Sequence, residues 1–257
     1  MKKSDYRLLS IVTILLLIVI WQVVTFFEWI PVLYLPSPVA VFQQFYNVAT
    51  VGYMDATLWQ HISASLSRIG LALLFAIFVG IPIGVAMGVN DLVHATLDPI
   101  IEFYRPIPPL AYLPLIVIWF GIGEFSKVLL IFLAIFAPIV LSTATGVRRV
   151  DIVKVRVAQS LGATRWQIIW HVIIPNSLPE IITGIRIGLG TGWSTLVAAE
   201  LIAATQGLGS MIQSASQFLM TDLVIAGIVV IALIAYFLEM VLRRLQKTLA
   251  PWQGKNY

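Results

Sequence analysis

The sequence contains no cysteine, so disulfides, thiolate metal sites and cysteine nucleophiles are excluded. Histidine is scarce and scattered: His61, His94 and His171 form no pair at i, i+4, and no metal centre is expected. A Gly-x-x-x-x-Gly-Lys-Ser/Thr run is also missing, which rules out nucleotide binding through a P-loop. Charge is the most telling scarcity. Charged residues make up 11% of the chain against 60% hydrophobic ones, too little polar material to cover a soluble globule of 257 residues. The chain therefore reads as an all-α polytopic membrane protein embedded in the lipid bilayer. Its net charge of +4 does not point to nucleic acid, because the basic residues sit at the ends of apolar spans and form no stripe interleaved with aromatics. Gly192-Trp193-Ser194-Thr195 superficially resembles the glycine-flanked serine of an intramembrane protease. The second flanking glycine is absent, however, and His171 falls in a polar loop, so no serine–histidine dyad is supported. No catalytic residue, cofactor or enzymatic activity is expected.

What the chain does have is a series of apolar runs. Leu8 to Phe27 is uncharged over 20 residues, is preceded by Lys2, Lys3 and Arg7, and is followed by no small-residue cleavage site, which predicts a retained anchor helix (8–27). Further spans are expected at about 69–89, 108–120, 128–147, 181–204 and 223–242, six in all. The expected organisation is one membrane domain over 1–257, with a core at about 60–245 and no detachable soluble part. An even number of crossings puts both termini on one side. Each terminus is basic, with Arg243, Arg244, Lys247 and Lys255 at the back, so that side is the cytoplasm. The region from Glu28 to about Ser67 then faces outward, with a short interfacial helix at 39–49. The third span is short and crowded by Pro106, Pro108, Pro109 and Pro114, which predicts a bent helix enclosed by protein.

Inside the spans, glycines recur every fourth position at Gly80, Gly84 and Gly88 and again at Gly184, Gly188 and Gly192. That spacing stacks them on one helix face, either for close packing or as the moving core of a pathway. Glu200 lies 14 residues beyond Arg186, about 21 Å along a helix, so its carboxylate is expected to face a cavity or to pair with Arg68 or Lys127. Trp193 and Ser194 precede it by about two turns and are candidates, with Glu200, for lining a pathway. Arg105 stands at the entry to the third span, placed to meet an anionic solute, to snorkel or to pair with Glu102.

One segment does not look like membrane. The loop 147–180 holds five of the sixteen basic residues, Arg148, Arg149, Lys154, Arg156 and Arg165, against only Asp151 and Glu180. This makes it cytoplasmic on the same reasoning. Gly162 is expected to join two short helices, with Thr164 capping a second one over Arg165 to Val172 and Pro175 and Pro179 ending it before the fifth span. A patterned polar loop between spans four and five is a docking surface.

At these residues the sequence resembles the inner-membrane permeases of ABC importers. Their cytoplasmic loop carries an Ala, a Gly four residues on and a Pro thirteen residues after that, here Ala158, Gly162 and Ile174-Pro175, with Val172 at the preceding aliphatic position. The family's leading Glu-Ala-Ala is Arg156-Val157-Ala158 in this chain, which reverses a charge and removes the basis for any salt bridge from that position. The resemblance extends through Asp55 to His61, Pro99 to Pro114, Trp119 to Glu124 and Thr191 to Gly209, covers about Val32 to Trp252, and is nearest the nitrate/sulfonate/taurine group. It implies a permease subunit in a bacterial inner membrane that pairs with a second copy as a homodimer. Cytoplasmic ABC ATPase subunits would bind a coupling loop built from Arg156, Ala158, Gly162, Ala163, Arg165 and Pro175. A periplasmic binding protein would deliver a small sulfonate, taurine first, with another alkanesulfonate or a small oxyanion as the alternative. A transporter without a P-loop must draw its energy from a partner, and the polar loop is the place to receive it. A secondary transporter, a channel and a membrane scaffold that recruits a partner through the same loop are the remaining alternatives.

Overall fold

The computed structural model describes residues 3–251, and of these every side chain except those of 3–8, 10 and 203. Lys2, Trp252 and Lys255, and the side chains of Lys3 and Arg7, lie outside the described residues. The described chain is helical, with a single isolated bridge between Tyr53 and Ala56 and no extended strand among the described residues. The helices are α1 (Lys3–Phe26), α2 (Pro38–Thr50), α3 (Leu58–Val89), α4 (Asp91–Tyr104), α5 (Pro109–Phe120), α6 (Glu124–Arg148), α7 (Ile152–Ser160), α8 (Arg165–Ile168), α9 (Ile174–Ala203), α10 (Leu208–Gln217) and α11 (Thr221–Leu249). A π-helical turn, Ile169–Ile173, joins α8 to α9.

Four stretches are long and apolar enough to cross a bilayer: α3, α6, the run Arg165–Ile202 and α11. A fifth arises if α4 and α5 are taken as one span, bent by 98° at the break between them. The sequence counts six. The difference lies in α1, whose apolar part among the described residues, Ile11–Phe26, falls short of the length of the others. Apolar side chains are exposed all along that stretch, as lipid-facing ones would be. The predicted bend in the short span is present, but the chain does not enclose it. Leu113 and Ile116 are buried, while Ile118 and Trp119 on the same helix are about three-quarters and two-thirds exposed (74% and 69%).

The chain divides into two compact units. One takes residues 1–63 and 205–232. Within it the Trp21 indole donates to the carbonyl of Pro36 (3.0 Å), Tyr53 and Ser214 share a hydroxyl contact (3.3 Å), and the Gly207 N–H donates to Nδ1 of buried His61 (3.2 Å). The short helix expected at 39–49 is α2, with Ser37 capping the Ala40 N–H.

The second unit takes residues 64–204 and 233–257 and is organised around α6. Both glycine series lie against this one helix. A Cβ at Gly84 would stand 2.6 Å from the Cβ of Thr143, and one at Gly88 would stand 2.4 Å from that of Val147. On α9, Cβ atoms at Gly184, Gly188 and Gly192 would meet Ser142 at 2.6 Å, Ile135 at 3.0 Å and Ile135 again at 2.7 Å. The two sets of α6 residues fall roughly a third of a turn apart. α6 is thus wedged between two backbones that approach it more closely than any side chain would permit. Buried Met87, Ile101, Ala137, Val140 and Ala144 form one core cluster there, and Leu113, Ile116, Leu130 and Ala199 form another.

Candidate functional site

Three features of the second unit carry chemistry: a cavity, a buried ion network and the polar loop. The cavity, of about 740 Å³, is bounded by the junction of α4 and α5 (Tyr104, Arg105, Pro109, Tyr112), by α6 from Leu133 to the residue after its end, Arg149, and by α9 from Glu180 to Thr195. The fifteen steps along α9 from Glu180 to Thr195, at 1.5 Å each, make it about 22 Å long. Its wall mixes apolar groups with the hydroxyls of Tyr104, Tyr112, Ser142, Thr145, Thr183, Thr191, Ser194 and Thr195, and its charged lining groups are Arg105, Arg149 and Glu180. A cleft of mixed apolar and hydroxyl lining, with two guanidinium groups against one carboxylate, is suited to a small anionic or zwitterionic solute.

Of the three pathway candidates, Ser194 lines this cavity. Trp193 and Glu200 are absent from its lining. Six residues at 100° each turn Glu200 about 120° around α9 from Ser194, away from the cavity. Trp193 is 7% exposed, and its indole N–H has no hydrogen-bond partner among the described residues.

Glu200 instead anchors the ion network. Its carboxylate is wholly buried, accepts from the Ser65 hydroxyl (2.8 and 2.9 Å) and accepts from Nη1 of Arg68 at 2.6 Å. Arg68 reaches Glu124 with its other edge, Nε to Oε2 at 2.6 Å and Nη2 to Oε1 at 2.8 Å, and Lys127 donates to the same carboxylate at 2.8 Å. The structural reading of Glu200 named both cations. Arg68 pairs with it directly, whereas Lys127 is connected through Glu124. The network ties α3, α6 and α9 together where isolated charges could not be tolerated. A second one joins α9 to α11: Arg186 donates through Nε to Glu239 (3.1 Å) and through Nη1 to Gln246 (2.9 Å), and Arg243 donates to Glu239 (2.8 Å). Sequence reading did not find this pairing, although a lone Arg and a lone Glu in apolar spans are its signal.

The loop has the two-helix form expected. Asp151 caps α7 at the Val153 N–H (2.8 Å). α7 ends in a Schellman arrangement, with the Gly162 N–H donating to Gln159 and the Ala163 N–H to Ala158, and with Gly162 at φ +81°. Thr164 and Gln167 form a capping box at the start of α8. Glycine is needed at 162 for its backbone angle rather than for close approach: a Cβ there would meet nothing within 4 Å. Pro175 and Pro179 do not end the second helix. The π turn widens the coil just before Pro175, whose missing N–H it accommodates, and the helix runs on as α9. Nδ2 of Asn176 and the hydroxyl of Ser177 donate to the carbonyls of Val172 and Ile173 beside that turn, and Lys154 ties α7 to Asn176 at 2.6 Å. Arg156 and Arg165 are exposed, and Ala158, Ala163 and Pro175 are half-buried. Around them the surface presents Val157, Leu161, Trp166 and Trp170, the Leu at 83% exposure, and α7 buries none of its side chains.

Residues 76–254 match the family described as binding-protein-dependent transport system inner membrane component. The chain is 60% identical over 248 residues to the taurine transport system permease protein of Escherichia coli (strain K12), a match that covers 96% of this chain and 90% of that protein. It is 31% identical over 249 residues to the nitrate import permease protein of Synechocystis, covering 95% and 90% respectively. Among solved structures, the MetNI methionine ABC transporter in an inward-facing conformation has a chain that superposes with a TM-score of 0.68 at 18% identity. That match covers 77% of this chain and 99% of the other.

Proposed function

The chain belongs to the family of binding-protein-dependent transport system inner membrane components, and we propose that it is the membrane-spanning subunit of an ATP-driven importer for taurine. The observation that carries the substrate is the 60% identity, over nearly the whole chain, to a taurine permease. With α1 and the bent pair α4 and α5 counted as crossings, the chain passes six times through the bacterial inner membrane with both termini cytoplasmic. Two copies sit side by side. Each presents the loop around Arg156, Ala158, Gly162, Ala163, Arg165 and Pro175 to a cytoplasmic ATPase subunit, and a periplasmic binding protein delivers the solute. The exposed apolar side chains of the loop, set among arginines, support this docking role. The 31% identity to a nitrate permease favours a second reading, a different small oxyanion carried by the same device.

The test is genetic. Deleting the gene is expected to abolish growth on taurine as sole sulfur source, and normal growth in a strain lacking any second taurine importer would overturn the substrate. Copurification of a P-loop ATPase in equal amount with the tagged permease is expected. Uptake that persists without such a partner would favour a secondary transporter.

A further inference from the structure

We infer that Arg105, at the break between α4 and α5, is the station in the translocation path that recognises the sulfonate group. The inference rests on the import reading above and extends it to a residue and an atom group. Its first support is depth. Tyr104, next in sequence, packs on the cluster that contains Ala137, Val140 and Ala144, while Tyr112 packs on the cluster that contains Leu130. Ala137 lies about 20 Å from the Glu124 end of α6 and about 16 Å from the Arg148 end, so the break stands midway along a spanning helix. Irregular backbone and a guanidinium at that depth are tolerated only where they border a cavity or protein. Arg105 does line the cavity of about 740 Å³.

The second support is unused bonding capacity. Glu102 accepts from one Nη atom of Arg105 at 3.2 Å, and the remaining guanidinium N–H groups have no acceptor among the described residues. A sulfonate offers three oxygens to that edge, in the two-pronged geometry that guanidinium favours. The Ser142 and Ser194 hydroxyls elsewhere on the cavity wall can donate to the same solute farther along the path. Glu180 lines the same cavity farther along α6. Its Cβ lies against Gly146, nine residues along α6 from Ala137 or about 14 Å. A guanidinium only donates, so Arg105 itself reads the anionic head and not the amine.

The absence of cysteine makes a charge-rescue experiment possible in the full complex of permease, ATPase and binding protein in proteoliposomes. Arg105→Cys is expected to lower taurine uptake about tenfold, equivalent to ~1.4 kcal/mol, with the complex still assembled. A cationic aminoethyl thiosulfonate should restore uptake, and an anionic sulfonatoethyl reagent should not. Taurine and ethanesulfonate should both slow the labelling, whereas ethylamine should leave it unchanged. Glu102→Gln should keep uptake near the wild-type rate, because the guanidinium remains. Uptake by Arg105→Cys at the wild-type rate, rescue by both reagents, or equal loss in Glu102→Gln would overturn the inference. A wild-type complex that imports no taurine would instead overturn the import reading beneath it.

Discussion

Arg68 and Glu200, 132 positions apart, meet at 2.6 Å with side chains 5% and 0% exposed. The pair joins α3 to α9 with both side chains buried, where a charge is costly without its partner. Arg68 also holds Glu124, so the two ends of the pair are unequal.

That inequality sets the first prediction. Arg68→Ala takes the guanidinium from the buried Glu200 carboxylate, while the exposed Glu124 keeps Lys127, and is expected to cost about 3–5 kcal/mol, seen as a large fall in thermal unfolding midpoint in detergent and in assembled complex. Glu200→Gln leaves Arg68 bonded to Glu124 and should cost distinctly less. Equal losses, or full assembly of Arg68→Ala, would remove the structural role assigned to the network.

The glycine series yields a prediction with an internal control. Gly84→Ala pushes a methyl to within 2.6 Å of the Thr143 Cβ and 2.7 Å of the Val140 carbonyl, and is expected to destabilise by about 1–3 kcal/mol. Gly70→Ala, in the same helix with nothing within 4 Å, should be neutral or stabilising by up to about 1 kcal/mol. Gly188→Ala and Gly190→Ala form the matching pair on α9, and unfolding midpoints of all four variants decide the matter.

At Gly162 the constraint is the φ of +81°, with open space around it. Gly162→Ala should therefore cost about 1–2 kcal/mol at the end of α7, and Gly162→Asn less, since asparagine tolerates the left-handed region. Both proteins should insert normally. The readout is taurine transported per ATP hydrolysed, with alanine lower than asparagine. The same ratio for the two variants would show that the turn geometry does not matter for coupling.

Leu161 separates docking from folding. It is 83% exposed, so Leu161→Asp should leave the permease's own unfolding midpoint within about 0.5 kcal/mol of wild type. Copurification of the ATPase subunit should fall sharply. Retained ATPase at wild-type stoichiometry would move the docking surface elsewhere.

Local features were readable from sequence, and pairings across the chain were not. Gly162 and Thr164 declare a helix end and a helix start within a few residues, and the structure has both. Pro175 reads as a stop in the sequence, because nothing local announces a π turn that absorbs a missing donor. The two glycine stripes were visible, but their common partner α6 was not, since a face that lacks side chains does not name what fills it. Counting turns puts Ser194 and Glu200 near one space, but 120° of helix rotation separates them. The Arg186–Glu239 contact spans 53 positions, and only packing decides which of several lone charges meet.

The wedged position of α6 bears on how a push at the loop travels. The loop is rooted at one end in α6 and at the other, through the π turn and Pro175, in α9, and these are the helices that touch backbone to side chain at Gly184, Gly188 and Gly192. A seam so tight leaves no slack. Both roots of the loop thus share one seam, and α3 is pressed to the far flank of α6 at Gly84 and Gly88. In mechanical terms the loop is a handle fixed to two closely packed helices that also form the cavity wall.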